Sequence, residues 1–321
     1  MDNPTQNWLL RDDEPRSSPG VPAGVEYHRV YAGDKRRILR GILAIILLLA
    51  GLVGLPLLFT SAATVIDAEI LGRTGFTPLQ HAIGALSLGL LIPYCMLIQR
   101  VLYKVPFRSL HSVAGRFRFG VFGRALLAFG PLVLIGMALP AAMQPGPQMP
   151  WTTFDLVAFF VIGMILTPLA AAGEEYGFRG LMFRVVGGWA RNARVGAVIG
   201  IVIPTVLFSL LHGSLDPYIL TSYFVLFGSM AIVTWRTGGL ETAVVLHAVY
   251  NLTSLVLGTT LHVDIGGALN GRGEMAGSID ILIPSVALVV VTVAVWWITR
   301  ATGPARTPQS GAAHSTITGS R

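Results

Sequence analysis

The sequence predicts an all-α, polytopic membrane protein with about eight transmembrane helices. Only 12% of its 321 residues are charged, whereas 53% are hydrophobic, and the mean hydropathy is +0.67. Soluble globular domains carry about 25% charged residues. Eight apolar runs match the length of about 17 to 25 residues that crosses a hydrocarbon core. They lie at 41–66, 82–98, 121–143, 154–173, 195–211, 217–235, 242–259 and 279–299.

Polar segments flank these runs. Residues 1–36 are rich in Pro, Asp and Arg and lack the apolar core and cleavage site of a signal peptide, so the first run is expected to remain as a span. Residues 301–321 are rich in Thr, Ser, Gly and Ala, which is typical of disorder. The predicted organisation is a disordered cytoplasmic tail at 1–36, a transmembrane domain at 37–300 and a disordered cytoplasmic tail at 301–321.

The formal net charge of +7 reflects topology and does not indicate a nucleic-acid partner. If the spans alternate from a cytoplasmic N-terminus, all 23 Lys and Arg residues except Arg73 and Arg272 fall in cytoplasmic tails, turns and helix ends. This positive-inside distribution predicts a multi-pass cell-membrane protein with both termini in the cytoplasm. The composition is typical of a bacterial protein. The one cysteine, Cys95, lies within the second run, which excludes a disulfide framework.

Charged residues interrupt the fourth run in the stretch EEYGFR, residues 174–179. On a helix, Glu175 and Arg179 share one face in the acid-before-base order that favours an ion pair. Glu174 points about 100° away and has no arginine on its own face. Because a charge at a membrane centre costs about 2.5 to 3.5 kcal/mol, the unpaired Glu174 is a candidate general base. Hydrated glutamates at a cytoplasmic helix end are the alternative.

Two later runs also carry polar residues at helical spacing. Phe208 and His212 lie one turn apart in FSLLH, where the histidine is either catalytic or a hydrogen-bonded core residue. His247 and Asn251 share a face in HAVYN, where they either hold a developing oxyanion or link helices. Asp155, at the predicted outer end of the fourth helix, is expected to be a solvated start signal.

Helix geometry predicts which of these elements meet. Glu174 and His212 lie at nearly equal distances before and after the turn at 191–194, so an antiparallel hairpin puts them at similar depth. His247 follows the turn near Gly239 closely and would lie nearer the cytoplasmic face. Bringing all three together requires that the fourth and fifth helices project into the cytoplasm, or that the region 187–188 lies along the membrane interface.

The three elements, in this order at the fourth, fifth and seventh hydrophobic runs, resemble the CPBP family of intramembrane proteases. This family includes the eukaryotic prenyl-protein (CAAX) endopeptidase and bacterial Abi proteins. Its pattern of EExxxR, FxxxH and HxxxN reads here as residues 174–179, 208–212 and 247–251 without a substitution. The resemblance covers about residues 120–260. It implies a helical membrane hydrolase with a polar intramembrane active-site cavity.

The resemblance also implies catalytic roles. Glu174 and His212 would activate water, while His247 and Asn251 would stabilise the oxyanion of the scissile carbonyl. The implied reaction is hydrolysis of a peptide bond in a membrane-embedded or lipid-anchored substrate. The resemblance further implies that Glu175 and Arg179 form a structural pair that fixes Glu174.

Metal dependence is left open by the sequence. Glu174, His212 and His247 are residue types that bind zinc, so they are metal ligands only if a metal is bound. The HExxH arrangement is absent from the sequence. The prediction for cofactors is therefore either none or Zn²⁺, with the metal-free, glutamate-dependent mechanism favoured.

Two other functions are compatible with these residues. A non-catalytic membrane scaffold or immunity protein of the same fold could bind a partner through the same cavity. A proton-coupled transporter also uses intramembrane glutamate and histidine. No inverted repeat is visible in the sequence to support a transporter, although Pro168 and Pro204 lie where they could kink their spans.

Overall fold

The computed structural model describes residues 7–11, 19–33, 37–143 and 148–309. Within these ranges the protein is helical and contains no β-strand. The α-helices in chain order are α1 Ile38–Val65, α2 Pro78–Gly89, α3 Leu91–Ile98, α4 Phe119–Met143, α5 Thr153–Glu175, α6 Phe183–Gly187, α7 Ala193–Leu211, α8 Pro217–Thr237, α9 Glu241–Thr260, α10 Ile265–Asn270 and α11 Ile283–Ile298. The predicted all-α class is confirmed.

Eight helical stretches in the described part of the chain are long and apolar enough to cross a membrane. They are Ile38–Ile70, Pro78–Tyr103, Phe119–Pro140, Thr153–Gly187, Ala193–Leu211, Pro217–Thr237, Glu241–Thr260 and Ile279–Ile298. Each contains most of one apolar run predicted from the sequence. Large apolar side chains on the outer faces, such as Leu57, Leu127 and Val293, are exposed, as contact with lipid tails requires. The protein is therefore a multi-pass membrane protein.

The fourth span is longer than the sequence predicts. The apolar run ends at residue 173, but the helix continues from α5 through a π-helical segment, Tyr176–Met182, into α6. Its 35 residues extend for about 52 Å at 1.5 Å per residue, against a hydrocarbon core of about 30 Å. The charged residues do not end the helix because residues 175–188 are all buried within the protein.

Helix α5 lies at the centre of the fold, packed against α2 and α9, and α9 also packs against α4. Gly173 permits the contact with α2, because a Cβ atom at this position would lie 2.0 Å from the carbonyl oxygen of Leu88. The backbones of the two helices therefore approach closely just before Glu174. This central pair of helices, α5 and α9, carries two of the three sequence motifs.

The start of α5 corrects one expectation. Thr152 and Asp155 form a capping box, in which each side chain binds the backbone of the other residue, so Asp155 is a start signal as predicted. It is not solvated, because its side chain is buried and forms an ion pair with Arg73. Arg73, from the loop after α1, therefore contacts the Asp155 carboxylate in place of the solvent that the sequence predicts.

Parts of both predicted tails are packed. Tyr27 is fully buried, and its hydroxyl donates a hydrogen bond to the carbonyl oxygen of Leu110 at 2.5 Å. The amide of Thr307 donates to the carbonyl oxygen of Val25 at 2.8 Å. The prediction of disorder is therefore wrong for 19–33 and 301–309, because composition did not reveal that buried aromatic side chains anchor the first of these segments. The remainder of both predicted tails lies outside the described residues.

Candidate active site

Glu175 is the fixed centre of a polar cluster inside the helices. Its side chain is fully buried. Its Oε1 accepts a hydrogen bond from Nη1 of Arg179 at 3.0 Å and another from Nδ1 of His247 at 2.8 Å. The ion pair with Arg179 is the one that the spacing predicts. The hydrogen bond to His247 is not predicted from the sequence, and it links α5 to α9.

The positive charge of Arg179 is buried but has several partners. Besides Glu175, its Nη2 donates to the carbonyl oxygen of Phe227 at 3.1 Å. Its guanidinium carbon lies 5.2 Å from the ring centre of Phe208 and 5.1 Å from that of Phe227. A buried ion pair is tolerated when further hydrogen bonds and aromatic faces surround it, as they do here.

Glu174 lies on the other side of the same histidine. Its Oε2 is 3.4 Å from Nε2 of His247, and its side chain keeps 15% of its surface exposed. An ionised Glu175 can only accept, so Nδ1 of His247 carries a proton. The contact between Nε2 of His247 and Oε2 of Glu174 needs a proton between the two atoms. Either the imidazole or the Glu174 carboxyl group carries this proton. Glu174 and His247 therefore lie where they can exchange one proton.

The predicted mismatch in depth between Glu174 and His247 does not occur. The two side chains meet because α5 continues into the long fourth span, so that Glu174 lies well inside the helix rather than at its end. This span, about 52 Å long, exceeds a hydrocarbon core of about 30 Å. Projection of the fourth and fifth helices into the cytoplasm, or an interfacial position of residues 187–188, stays a prediction.

His212 follows the last residue of α7 and packs on aromatic rings. Its Nδ1–H donates to the carbonyl oxygen of Phe208 at 2.7 Å, which leaves Nε2 with its lone pair. Its ring centre lies 4.8 Å from that of Phe208 and 4.8 Å from that of Phe227. His247 lies against the same two rings, at 6.4 and 6.3 Å. Burial lowers the pKa of His212 to about 4, so the imidazole is neutral at pH 7.

Asn251 lies one turn beyond His247 on α9 and is half-buried. Its carboxamide makes no hydrogen bond with any residue that the structure describes. Both N–H donors are therefore available to a ligand. In contrast, His247 is held on Nδ1 by Glu175.

A second buried ion pair, which the sequence does not predict, lies near the start of α9. Glu241 accepts from Nη2 of Arg118 at 2.7 Å and from Nε of Arg118 at 3.0 Å. Both side chains are buried. Glu241 lies just before His247 on the same helix, so this pair fixes the end of α9 that carries the site. The two residues lie 123 positions apart in the sequence, so no helical spacing indicates that they meet.

The arrangement does not fit the zinc site that the sequence leaves open. Such a site would need Glu174, His212 and His247 to converge. Among the described residues, no group of three or more His, Cys, Asp or Glu side chains is placed to hold a metal ion. Both ring nitrogens of His247 already face carboxylates, Nδ1 toward Glu175 and Nε2 toward Glu174.

These features define a class: a helical multi-pass membrane protein with a buried cluster of glutamate, histidine and arginine at the centre of its bundle. Residues 153–253 match a family model described as Type II CAAX prenyl endopeptidase Rce1-like. The match runs from α5 into α9 and includes all three motifs. It confirms the resemblance to the CAAX protease family over these helices. A comparison with curated proteins finds no match.

Proposed function

We propose that this protein is an intramembrane endopeptidase that uses a glutamate as its general base. The substrate class is a membrane-embedded or lipid-anchored peptide. The observation that carries the proposal is the contact between Glu174 and His247, inside the segment that matches the CAAX prenyl endopeptidase family. A carboxylate that is partly exposed and faces an imidazole inside a helical bundle is suited to acid–base chemistry.

In the proposed reaction Glu174 takes a proton from water, and the water oxygen attacks the carbonyl carbon of the scissile bond. His212 assists, because its neutral imidazole presents the lone pair of Nε2. The carbon–nitrogen bond then breaks, and Glu174 returns the proton to the leaving amine nitrogen. Each step conserves the proton, and no covalent intermediate with the protein is needed.

The oxyanion that forms on the carbonyl oxygen needs hydrogen-bond donors. The carboxamide of Asn251 has no hydrogen-bond partner among the described residues, and a protonated Nε2 of His247 supplies a second donor. Glu175 supports this state of His247 by accepting from Nδ1. Donors that are fixed before the reaction are worth about 2.7 to 4 kcal/mol each in comparable sites.

The orientation in the membrane belongs to the same proposal. We place both termini in the cytoplasm of a bacterial cell, because the basic residues follow the positive-inside pattern. Thr307 and Val25, joined by a backbone hydrogen bond, lie together and therefore on one side. Labelling of single cysteines at positions 20 and 303 in intact cells would contradict this orientation if an impermeant reagent modifies them.

The test compares purified wild-type protein in detergent with the Glu174→Gln variant, using quenched apolar peptides as substrates. We expect the variant to lose at least about 100-fold in activity. Glu69→Gln is the matched control, since Glu69 is exposed, and it should retain full activity.

Metal content is measured on the same samples. Stoichiometric zinc that is lost together with activity would make the protein a metalloprotease and overturn the glutamate mechanism. Full cleavage by Glu174→Gln would remove Glu174 from the reaction. Absence of cleavage in all samples, including peptides with a prenylated cysteine near the C-terminus, would favour the non-catalytic scaffold.

A further inference from the structure

Three aromatic rings of the described chain contact the imidazole of His212. Phe208, on α7, and Phe227, on α8, each lie 4.8 Å from it between ring centres. Tyr223, one turn before Phe227 on α8, lies at 4.7 Å. The rings of Tyr223 and Phe227 are stacked on each other at 5.8 Å, with an angle of 18° between their planes. Tyr223 therefore belongs to the packing that fixes the position of His212.

The hydroxyl of Tyr223 is not needed for this packing. A phenylalanine would present the same ring, as Phe208 and Phe227 do. The hydroxyl forms no hydrogen bond with any residue that the structure describes, although the hydroxyl of a buried tyrosine usually has a partner. Tyr223 is half-buried, so its ring is packed while its oxygen lacks a partner in the described protein.

The same oxygen is open to a small molecule. The enclosed side-chain atoms without a partner in the described chain include Oγ of Ser209 and Oγ1 of Thr234, but they do not include the hydroxyl of Tyr223. Nε2 of His212 is not among them either, and it also has no partner among the described residues. Both atoms are therefore accessible, and they belong to two side chains that touch each other.

A water molecule held inside a protein needs about two to four polar partners. In the proposed reaction Glu174 and Nε2 of His212 supply two of them, and both accept a hydrogen bond from the water. The water oxygen attacks with one lone pair, so its second lone pair still needs a donor. Of the three rings that contact His212, only that of Tyr223 carries an O–H group.

Resting on the proposed function, we propose that the hydroxyl of Tyr223 donates a hydrogen bond to the attacking water and holds it against Nε2 of His212. Glu174 removes one proton of the water, and the second proton stays on the oxygen that bonds to the carbonyl carbon. Tyr223 keeps its own proton throughout, so the proton balance of the reaction is unchanged. Because the hydroxyl touches the reacting oxygen, Tyr223 is a catalytic residue in this proposal.

The first test measures kcat and KM for the apolar peptide that wild-type protein cleaves fastest. Tyr223→Phe keeps the ring and removes the O–H donor, so kcat should fall about 3- to 10-fold, the range for one hydrogen bond between neutral groups. KM should stay unchanged, because the lost bond acts on the water and not on the peptide. Tyr218→Phe is the matched control, since Tyr218 lies on the same helix and is 42% exposed. It should keep both constants.

A third variant separates the hydroxyl from the ring. Tyr223→Leu removes both, so His212 loses a packing neighbour and kcat should fall further than in Tyr223→Phe. Tyr223→Phe should melt in detergent at the temperature of wild type, because its ring is retained. Wild-type kcat in Tyr223→Phe, with a loss confined to Tyr223→Leu, would show that only the ring matters and would overturn the assignment.

The second test does not depend on cleavage. In a peptide whose scissile amide is replaced by a phosphinate, the phosphorus is tetrahedral and one of its oxygens stands for the attacking water, as in a transition-state analogue. Isothermal titration calorimetry should show about 3- to 10-fold weaker binding of this peptide to Tyr223→Phe than to wild type. Tyr218→Phe should bind it as wild type does.

The two tests distinguish this proposal from the proposed function. Weaker phosphinate binding by Tyr223→Phe would support the role of the hydroxyl even if a residue other than Glu174 takes the proton. Cleavage that depends on Glu174, combined with wild-type kcat and wild-type phosphinate binding in Tyr223→Phe, would retain the proposed function and reject the role of Tyr223. Wild-type protein that neither cleaves the peptides nor binds the phosphinate would overturn both.

Discussion

Nδ1 of His247 lies 2.8 Å from Oε1 of Glu175, so a carboxylate on α5 orients an imidazole on α9. The same Oε1 accepts from Arg179 at 3.0 Å. One buried oxygen atom thus links two elements that the sequence places 72 residues apart. Because the second nitrogen of His247 faces Glu174, the position of Glu175 determines how the neighbouring glutamate meets the histidine.

Removing either charge of the buried pair should destabilise the protein strongly. Glu175→Gln leaves the Arg179 cation buried without its partner, and Arg179→Gln leaves the Glu175 anion in the same state. Each single change should lower the free energy of unfolding by about 3 to 5 kcal/mol. The double variant should lose clearly less than the sum, because it leaves no unpaired charge between these two positions.

Reversible unfolding in mixed detergent micelles measures these four free energies. The exposed Glu69→Gln is the control for loss of a carboxylate and should change stability by less than about 0.5 kcal/mol. Additive losses in the double variant would show that the two side chains do not interact as described.

Gly173 should tolerate no side chain. A Cβ atom there would lie 2.0 Å from a backbone oxygen, that of Leu88, so Gly173→Ala must push α2 and α5 apart. We expect a loss of about 1 to 3 kcal/mol or more, together with loss of activity, since Glu174 is the next residue. Gly54→Ala is the matched control, because nothing lies within 4 Å of its added methyl group.

Thermal melting in detergent distinguishes the two glycines. Gly54 lies within α1, where alanine is favoured by about 0.5 to 1 kcal/mol over glycine. The control should therefore melt at the same temperature as wild type or higher. Equal melting temperatures of the Gly173→Ala and Gly54→Ala variants would mean that α2 does not approach α5 closely.

The pair of Arg118 and Glu241 should require the shape of arginine as well as its charge. Lysine cannot reproduce the two parallel hydrogen bonds to the carboxylate. Arg118→Lys should therefore cost about 1.5 to 3 kcal/mol, the value of a hydrogen bond between charged groups. Arg116→Lys changes an exposed neighbour and should be neutral. Equal unfolding midpoints of the two variants in denaturant would contradict the bidentate contact.

His212 should make the stability depend on pH. Burial lowers its pKa to about 4 in the folded protein, against about 6.5 in the unfolded chain. The unfolded chain therefore binds an extra proton between these values, so the contribution of His212 is present above pH 6.5 and is lost as pH falls toward 4. Melting temperatures from pH 8 to pH 4 should fall less steeply for His212→Gln than for wild type. Parallel curves would show that His212 is not buried as described.

The sequence predicts the spans well because hydrophobicity over about 20 residues is set by the bilayer and needs no knowledge of tertiary contacts. It predicts the pair of Glu175 and Arg179 for a similar reason, since both lie on one helix. It does not predict the bond between Glu175 and His247. That contact depends on how α5 and α9 rotate against each other, which a linear pattern does not contain.

Charged residues near the ends of apolar runs are the main source of error. Asp155 and Glu241 both begin helices. The sequence predicts that Asp155 is solvated, and it indicates no partner for Glu241. In the structure Arg118 and Arg73 reach them from distant loops, and burial follows. A hydropathy pattern marks where a helix leaves the apolar region, but it does not say whether water or another part of the protein lies beyond.

The backbone hydrogen bond between Thr307 and Val25 joins the segment before α1 to the segment after α11. The first and the last of the eight candidate spans in the described chain are therefore connected on one side of the bundle. A short linker could replace the chain beyond Val25 and Thr307, and the chain could be reopened at a connection that packs near the first segment, such as the turn at 188–192, where Arg29 donates to the carbonyl oxygens of Ala190 and Arg191. A circular permutant of this kind would keep every helix in place while presenting its termini beside α7.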